Sequence, residues 1–527
     1  MQKSTEMEPL LFVRRSSGLM REIGPWSALA LPLLLNLGVY FYAFLPLLPS
    51  FYPGCDNPLA FLIGGLIEVV LNLGIFLALV SMPRSGGNYL VISRGVHPIL
   101  GVMEGYRTII WNPVSIAILC FFGGKFTADA LTNLGRVTQN AALVGMGTAI
   151  AGNVVYMIVI SLVFMAIACL FDIMGVRWLK ASWNVVFVIN TLVLVILAYL
   201  FLTHPVSTIS QVWDGAWGAG AYEEVMNVST NAGFAAAGFS WAATMAAVVT
   251  TVILESGYSA VPLGGEISRP RTSFLWSFVV SSAILTVVTT FFAWAFRYSW
   301  GEFAMRFNFL LLTGNAAELQ ISPSAVTPSL TFYGALLTGS PILSAFITLA
   351  PILGVLPYVS VNSFWATRPL HALSMDRFAP RIFSRTWART GSPIYGIAYT
   401  YILALISVLA AARFELLLAI GGWIAGSIMF MLWGVAEALL PFRRPEIWEN
   451  GLRWTIGKLP VDVIIGAVNA LVMAYLLIIS WKEQNNVSRI FTVILWGVGL
   501  VAYIIYYFYN KQKGIDTRSI FQSVPPA

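Results

Sequence analysis

Apolar residues run along this chain in stretches of about 20, separated by short polar segments rich in Gly, Pro and Arg. A stretch of that length, wound as a helix, crosses a hydrocarbon core of roughly 30 Å. Windows chosen on this criterion predict about twelve spans, over 25–49, 59–82, 99–124, 142–170, 182–202, 235–262, 273–296, 331–363, 393–412, 415–440, 460–480 and 490–509. The pattern is that of an all-α polytopic membrane protein without a soluble domain. The longest polar connections run from Thr203 to Gly233 and from Arg297 to Leu330.

Two spans are interrupted. Leu35-Asn36-Leu37-Gly38 in the first and Leu254-Glu255-Ser256-Gly257 in the sixth each place a polar residue two positions before a glycine. Such a break frees backbone groups that lipid cannot satisfy, so it persists only where it faces protein or a solvated cavity. Broken helices at matching points of two repeats mark a ligand site of a transporter. Aligning the two breaks superposes spans one to five on spans six to ten, and an odd number of spans per repeat inverts the second copy. Glu255 is the only charged residue between Glu224 and Glu266. A carboxylate near the bilayer centre costs about 3 kcal/mol on insertion scales, so a partner is expected to offset it.

Composition agrees with this reading. The 527 residues are 58% hydrophobic and 10% charged, with a mean hydropathy of +0.80, against roughly 25% charged residues in a soluble domain. With the N-terminus inside, about 22 of the 30 basic residues fall in cytoplasmic segments, including Arg368, Arg377, Arg381, Arg385 and Arg389 in one loop. That distribution accounts for the net charge of +7 without a nucleic-acid partner, and it places both termini in the cytoplasm of a cell carrying this protein in its plasma membrane. The first 24 residues lack a cleavable signal pattern. Cys55, Cys120 and Cys169 suggest no disulfide framework, and His97, His204 and His371 lack ligand spacing, so no metal site is expected. Neither a Walker A string nor a nucleophile elbow is present, so no enzyme is expected and transport would run on ion gradients.

Four motifs carry a resemblance. Met82-Pro83-Arg84-Ser85-Gly86-Gly87-Asn88-Tyr89 follows the second span, and Gly264-Gly265-Glu266-Ile267-Ser268-Arg269-Pro270-Arg271 follows the sixth. Arg368-Pro369-Leu370, Met375-Asp376-Arg377-Phe378-Ala379-Pro380 and Gly391-Ser392-Pro393 follow the eighth, and Lys513-Gly514-Ile515-Asp516 lies in the tail. In this order they resemble the loops of the amino acid-polyamine-organocation (APC) family of permeases. The resemblance implies a five-plus-five inverted-repeat core of leucine-transporter type with broken helices 1 and 6, alternating access, and amino acids or related amines as substrates. It divides the chain into an N-terminal cytoplasmic segment (1–24), a first repeat (25–202), an extracellular loop (203–234), a second repeat (235–440), two added spans (441–509) and a cytoplasmic tail (510–527). Where many members have G-S-G-I-F, this chain has Asn36-Leu37-Gly38-Val39-Tyr40. Where the family often has F-A-F-x-G-F, it has Ile253-Leu254-Glu255-Ser256-Gly257-Tyr258. Counted from Gly175, Asn190 falls where some proton-coupled members carry a lysine.

The expected substrate site is therefore Asn36, Leu37, Gly38 and Val39 with Ile253, Leu254, Glu255, Ser256 and Gly257. The first set would offer backbone N–H groups and the positive end of the second half-helix to a carboxylate; the alternative is a Gly- and Pro-kinked packing helix flanked by Pro32 and Pro46. Glu255 is a counter-ion for an amine, a coupling-proton site, or a hydrogen-bonded packing carboxyl; the first two roles combined would give amine/proton antiport. Ion coupling, by proton or sodium and with no other cofactor, is assigned to Glu255, Asn190, Ser360 and Ser363, the two serines sharing a helix face beside Asn362. Back-bonding to their own helix is the alternative for the serines. Trp111-Asn112-Pro113 predicts a kink at mid-depth, Lys125 and Asp129 an i,i+4 pair, and Glu104 and Arg107 an i,i+3 pair. Arg84, Asp376 and Arg377 are expected to form loop and gate structure. The function expected is a secondary active transporter of amino acids or related amines, with a polyamine or organic-cation carrier as alternative and a transporter-like sensor as the rival class. Its partners would be that substrate and the lipid bilayer, with no obligatory protein.

Overall fold

The computed structural model describes residues 21–254, 257–323, 326–411 and 423–522. The described residues are predominantly helical. Helices α1 (Pro25–Asn36) and α2 (Val39–Phe44) form the broken first span. They are followed by α3 (Asn57–Ser81), α4 (Gly87–Gly95), α5 (Pro98–Val137), α6 (Ala141–Gly152), α7 (Val154–Met174) and α8 (Val176–Thr203). The connection beyond carries α9 (Ala221–Asn231), and the second half comprises α10 (Trp241–Leu254), α11 (Pro270–Thr313), α12 (Leu330–Leu336), α13 (Pro341–Met375) and α14 (Ile394–Ala411). The last four are α15 (Trp423–Arg443), α16 (Val461–Glu483), α17 (Asn486–Gln512) and the short α18 (Thr517–Gln522).

Among the described residues ten helices are long and apolar enough to cross a membrane, and the shorter apolar helices Trp241–Val252 and Ile394–Ala410 occupy the sixth and ninth predicted spans. Two predicted spans divide. The window 142–170 becomes α6 and α7, because Asn153 accepts the N–H of Val155 and starts a new helix. The window 331–363 becomes α12 and α13, because Ser340 caps a helix that opens on Pro341. Two others are longer than predicted. Helix α5 reaches 40 residues, and α11 continues past its expected end to a non-helical Gly301 at φ 51°.

Burial sorts the helices. The apolar window of the first span is 89% buried, whereas those of Val154–Met174 and Val461–Lys482 are 22% and 28% buried. The first span is thus enclosed by protein, and α7 and α16 turn exposed apolar faces such as Val163, Leu471 and Ile478 outward, as lipid-facing helices do. Long α5 and α13 pack along one another. Close helix contact relies on small residues where α15 meets α16: a Cβ on Gly434 would stand 2.6 Å from the Ala470 nitrogen and 2.7 Å from the Gly466 oxygen.

The motif loops have a geometric reason for their glycines. Gly86 lies at φ 104° and caps α4, and a Cβ there would press on Ala372 of α13. Gly265 donates its N–H to the Ser85 hydroxyl at 3.2 Å, joining the loop after α3 to the loop after the sixth span. On the opposite face, Glu224 of α9 accepts backbone N–H groups of Gln320, Ile321 and Ser322 and clasps the two long connections together.

Replacing Gly434 with Leu forces backbone apart and is expected to cost at least about 1–3 kcal/mol, the range for overpacking. Gly426→Leu, on the same helix with open space around it, is expected to leave thermal unfolding in detergent unchanged. Equal melting temperatures for the two variants would contradict the close crossing.

Candidate functional site

The first break has a simple origin. Pro32 disturbs α1, and after Asn36 the chain turns through Leu37 to Gly38 at φ −104°, ψ −131°, before α2 begins at Val39. A Cβ at Gly38 would lie 2.6 Å from the Leu34 carbonyl oxygen, so the turn admits no larger residue without strain. Asn36, Leu37 and Val39 are buried. The second half-helix has only six residues, so the dipole expected to hold a carboxylate there is short, and the freed backbone groups themselves carry the polarity.

Three asparagine amides meet those groups. Asn190 of α8 donates to the Leu37 carbonyl at 3.2 Å and accepts the Tyr42 hydroxyl at 2.6 Å, so one side chain spans the break. Asn57 of α3 donates to the Leu45 carbonyl at 3.2 Å. Asn308 of α11 donates to the Pro46 carbonyl at 2.8 Å and accepts the Tyr333 hydroxyl at 2.6 Å, repeating the arrangement of Asn190 and Tyr42. Asn36 turns back onto its own helix, donating to the Pro32 carbonyl at 2.7 Å.

At the second break α10 ends at Leu254 and a 3-10 turn runs over Gly257–Leu263. Glu255 and Ser256 lie outside the described residues, as do the side chains of Ile253 and Leu254. Tyr258, directly after the break, packs edge-on against Trp365 of α13 at 5.4 Å and Phe430 of α15 at 4.7 Å. Tyr40, directly after the first break, packs against Tyr358 of α13 at 5.0 Å and Phe122 of α5 at 6.0 Å. Tyr358 and Trp365, two helical turns apart, face the same way, and Tyr358 also stands within electrostatic range of Tyr258. One face of α13 thus brings both breaks into a single aromatic wall.

Ser360 and Ser363 lie on a different side of α13. Both are buried, and both face the carboxyl of Asp172 on α7 instead of the first break. Asp172 also accepts the Tyr401 hydroxyl at 2.8 Å. This residue was not singled out from sequence, although the signal that marked Glu255 applies equally: Asp172 is the only charged residue between Arg136 and Arg177. Glu68, alone between Asp56 and Arg84, is likewise buried and holds the Asn72 amide at 2.5 Å. Asn112 donates to the Thr108 carbonyl at 2.8 Å, within its own helix. Lys125 and Asp129 act on each other electrostatically, as their spacing predicts, but each makes a closer contact of its own. Asp129 accepts the N–H of Thr327 at 3.0 Å, and Lys125 lies 5.7 Å from the centre of the Phe122 ring. These alternatives draw the two charges to different neighbours.

The face carrying residue 21 is latched by buried ion pairs. Arg368 of α13 binds Glu266 through two bonds, of 2.8 and 3.1 Å, and stacks 4.0 Å over Phe364. Arg94 and the Tyr89 hydroxyl both reach Asp376 at 2.6 Å, and Arg94 also lies over Phe521 of α18 at 5.1 Å. Glu104 and Arg107 pair through two 2.6 Å bonds, as their spacing predicts. The N–H of Ile23 bonds the Glu266 carbonyl and that of Ser268 bonds the Ile23 carbonyl, so the segment entering α1 is stitched to the loop bearing Glu266. Arg84 sits in a neighbouring loop, where burial and the nearby Arg21 pull its guanidinium below its ordinary value.

Comparison with known families gives one match: the model for the amino acid permease family aligns with residues 26–503, from the start of α1 into α17. Comparison with curated proteins finds no significant match.

Asn190→Leu leaves the Leu37 carbonyl and the Tyr42 hydroxyl buried without their partner, an expected loss of about 1–3 kcal/mol. Tyr42→Phe removes one bond together with its polar atom and is expected to cost less. Thermal unfolding of the purified variants checks the order; an unchanged Asn190→Leu protein would show that the amide does not hold the break.

Proposed function

Because the chain belongs to the amino acid permease family, we propose that it is a secondary active transporter that moves an amino acid or related amine by alternating access. Permeases of this family are membrane transporters of amino acids or related compounds, and the many apolar helices fit that class. The finer reading rests chiefly on one observation. The two helix breaks, from opposite halves of the chain, share the aromatic wall formed by Tyr40, Tyr258, Tyr358 and Trp365.

Substrate would lie between residues 36–39 and 253–257. Backbone N–H groups at the start of α2, from Val39 onward, would take its polar end, and the aromatic faces would take an ammonium, since cation–π contact in a desolvated site is worth about 2 kcal/mol. Glu255 would be the counter-ion or proton acceptor within the second break. The aromatic wall favours a second reading of the same site, a carrier of polyamines or other organic cations. Orientation follows the basic loops, with both termini cytoplasmic in the plasma membrane and the latched face inward. Spans one to five and six to ten would form the two inverted repeats, with α16 and α17 added. Energy would come from a proton or sodium gradient, one charge through 100 mV supplying about 2.3 kcal/mol.

Uptake into proteoliposomes of a mixed panel of amino acids and polyamines, under imposed pH or sodium gradients, tests the reading. Wild type is expected to accumulate substrate, and Glu255→Gln to lose gradient dependence or to weaken cationic-substrate binding by roughly tenfold, about 1.4 kcal/mol. Stronger competition by putrescine than by neutral amino acids selects the organic-cation carrier, and the reverse selects the amino acid carrier. Tight binding with neither uptake nor exchange would overturn transport in favour of a sensor.

A further inference from the structure

Asp172 occupies an unusual position near the end of α7. Its side chain is buried, Oδ2 receives the Tyr401 hydroxyl, and Oδ1 has no hydrogen-bond partner. The Ser363 hydroxyl is fully buried and close enough to act on this carboxyl, but makes no hydrogen bond of good geometry. A buried carboxyl in that state must either carry a proton or draw a positive charge toward it. The positive charge in range is Arg368, now bound to Glu266. Arg368 and Asp172 belong to packed helices α13 and α7, whereas Glu266 belongs to the loop stitched to the entry of α1. One guanidinium therefore stands between a carboxylate that closes the latched face and a carboxyl that does not.

We propose that Asp172, with Tyr401, Ser360 and Ser363, forms a proton-binding site that decides whether Arg368 stays on Glu266. With a proton on Oδ1, Asp172 is neutral and can donate to the Ser363 hydroxyl, and Arg368 holds Glu266 and keeps the face closed. When that proton leaves to water, the carboxylate competes for Arg368 and the Glu266 contact loosens. A proton suits the site better than a metal cation. Hard divalent cations take about six oxygens, and sodium likewise needs a shell of several. The side chains around Oδ1 supply two serine hydroxyls, and the Tyr401 hydroxyl already points its hydrogen at Oδ2.

Other groups around Asp172 leave this competition intact. Helix α7 itself brings Cys169 and α14 brings Tyr401, beside which Cys120 of α5 stands. Helix α6 contains no titratable residue. Arg177 and Lys180 stand at the start of α8, the latter donating to the Glu22 carbonyl at 3.0 Å, and the Ser392 hydroxyl donates to the Asp172 main-chain oxygen at 3.2 Å.

The inference deepens the transport reading and rests on it for its consequence, but its test needs no substrate. Hydrogen exchange of the Ile23 and Ser268 amides, which close the latch, is measured by mass spectrometry on the full chain in nanodiscs between about pH 5.5 and 8, with rates corrected for intrinsic exchange. Wild type is expected to open several-fold more at the upper end, while Asp172→Asn stays closed throughout. Glu266→Gln, which weakens the hold on Arg368, is expected to open at every pH. Should Asp172→Asn fail to fold, Tyr401→Phe decides: loss of a donor to the charged form is expected to move the opening midpoint upward by roughly half a unit or more. A pH-independent latch in wild type, an unshifted Asp172→Asn profile, or an unmoved Tyr401→Phe midpoint would overturn the proposal. A failed uptake assay would leave the latch result standing, and a failed latch assay would leave transport standing.

Discussion

No backbone group of the first span can be left unpaired at hydrocarbon depth, and three asparagines meet that requirement. Asn190, Asn57 and Asn308 each present an amide to a carbonyl freed in or beyond the break, at Leu37, Leu45 and Pro46. Two of the three, Asn190 and Asn308, also accept a tyrosine hydroxyl, so each of those two amides has a donor bond and an acceptor bond. These contacts make an unwound segment tolerable inside the bundle. They come from α3, α8 and α11, so the break is held from three sides, and the first span is the most enclosed of the ten long apolar helices. Neutral amides perform this service without introducing a charge that would itself need a partner.

Charge is concentrated instead on the face carrying residue 21. Arg368–Glu266 and Arg94–Asp376 are almost wholly buried. Removing both ions of a pair from water costs several kcal/mol per ion before their attraction returns it. Such pairs add little net stability but strongly favour one arrangement over near alternatives, because a partner left behind is an uncompensated charge. The glycine-rich loops around Gly86 and Gly265 allow the backbones bearing these charges to touch. A face closed by a few directional contacts, rather than by a broad apolar surface, is suited to opening by the loss of one of them.

The aromatic wall and the latch are connected through α13. Tyr358 and Trp365 face the helix breaks, Ser360 and Ser363 face Asp172, and Arg368 reaches Glu266. One helix thus presents different chemistry to different neighbours along eleven residues, from 358 to 368. A small rotation or shift of α13 would be felt at all three places, which gives the transport reading a physical route between substrate and face.

Much of this was legible in the chain. Apolar runs of membrane length determine the helices and their burial in lipid or protein, because hydrocarbon leaves the backbone no other way to pair. Gly38 beside Asn36 announced the first break, and the loop motifs announced the family later matched over residues 26–503. Spacing alone paired Glu104 with Arg107, since both partners lie on one helix. It did not show that Lys125 and Asp129, though within electrostatic range of each other, would make their close contacts elsewhere, Lys125 with Phe122 on its own helix and Asp129 with Thr327, distant in sequence. Nor did it show that Asn190 would bridge Leu37 and Tyr42, or that Ser360 and Ser363 would turn to Asp172. Helical periodicity says which residues share a face, whereas the neighbour meeting that face is chosen by packing between helices far apart in sequence, and only the tertiary structure decides it.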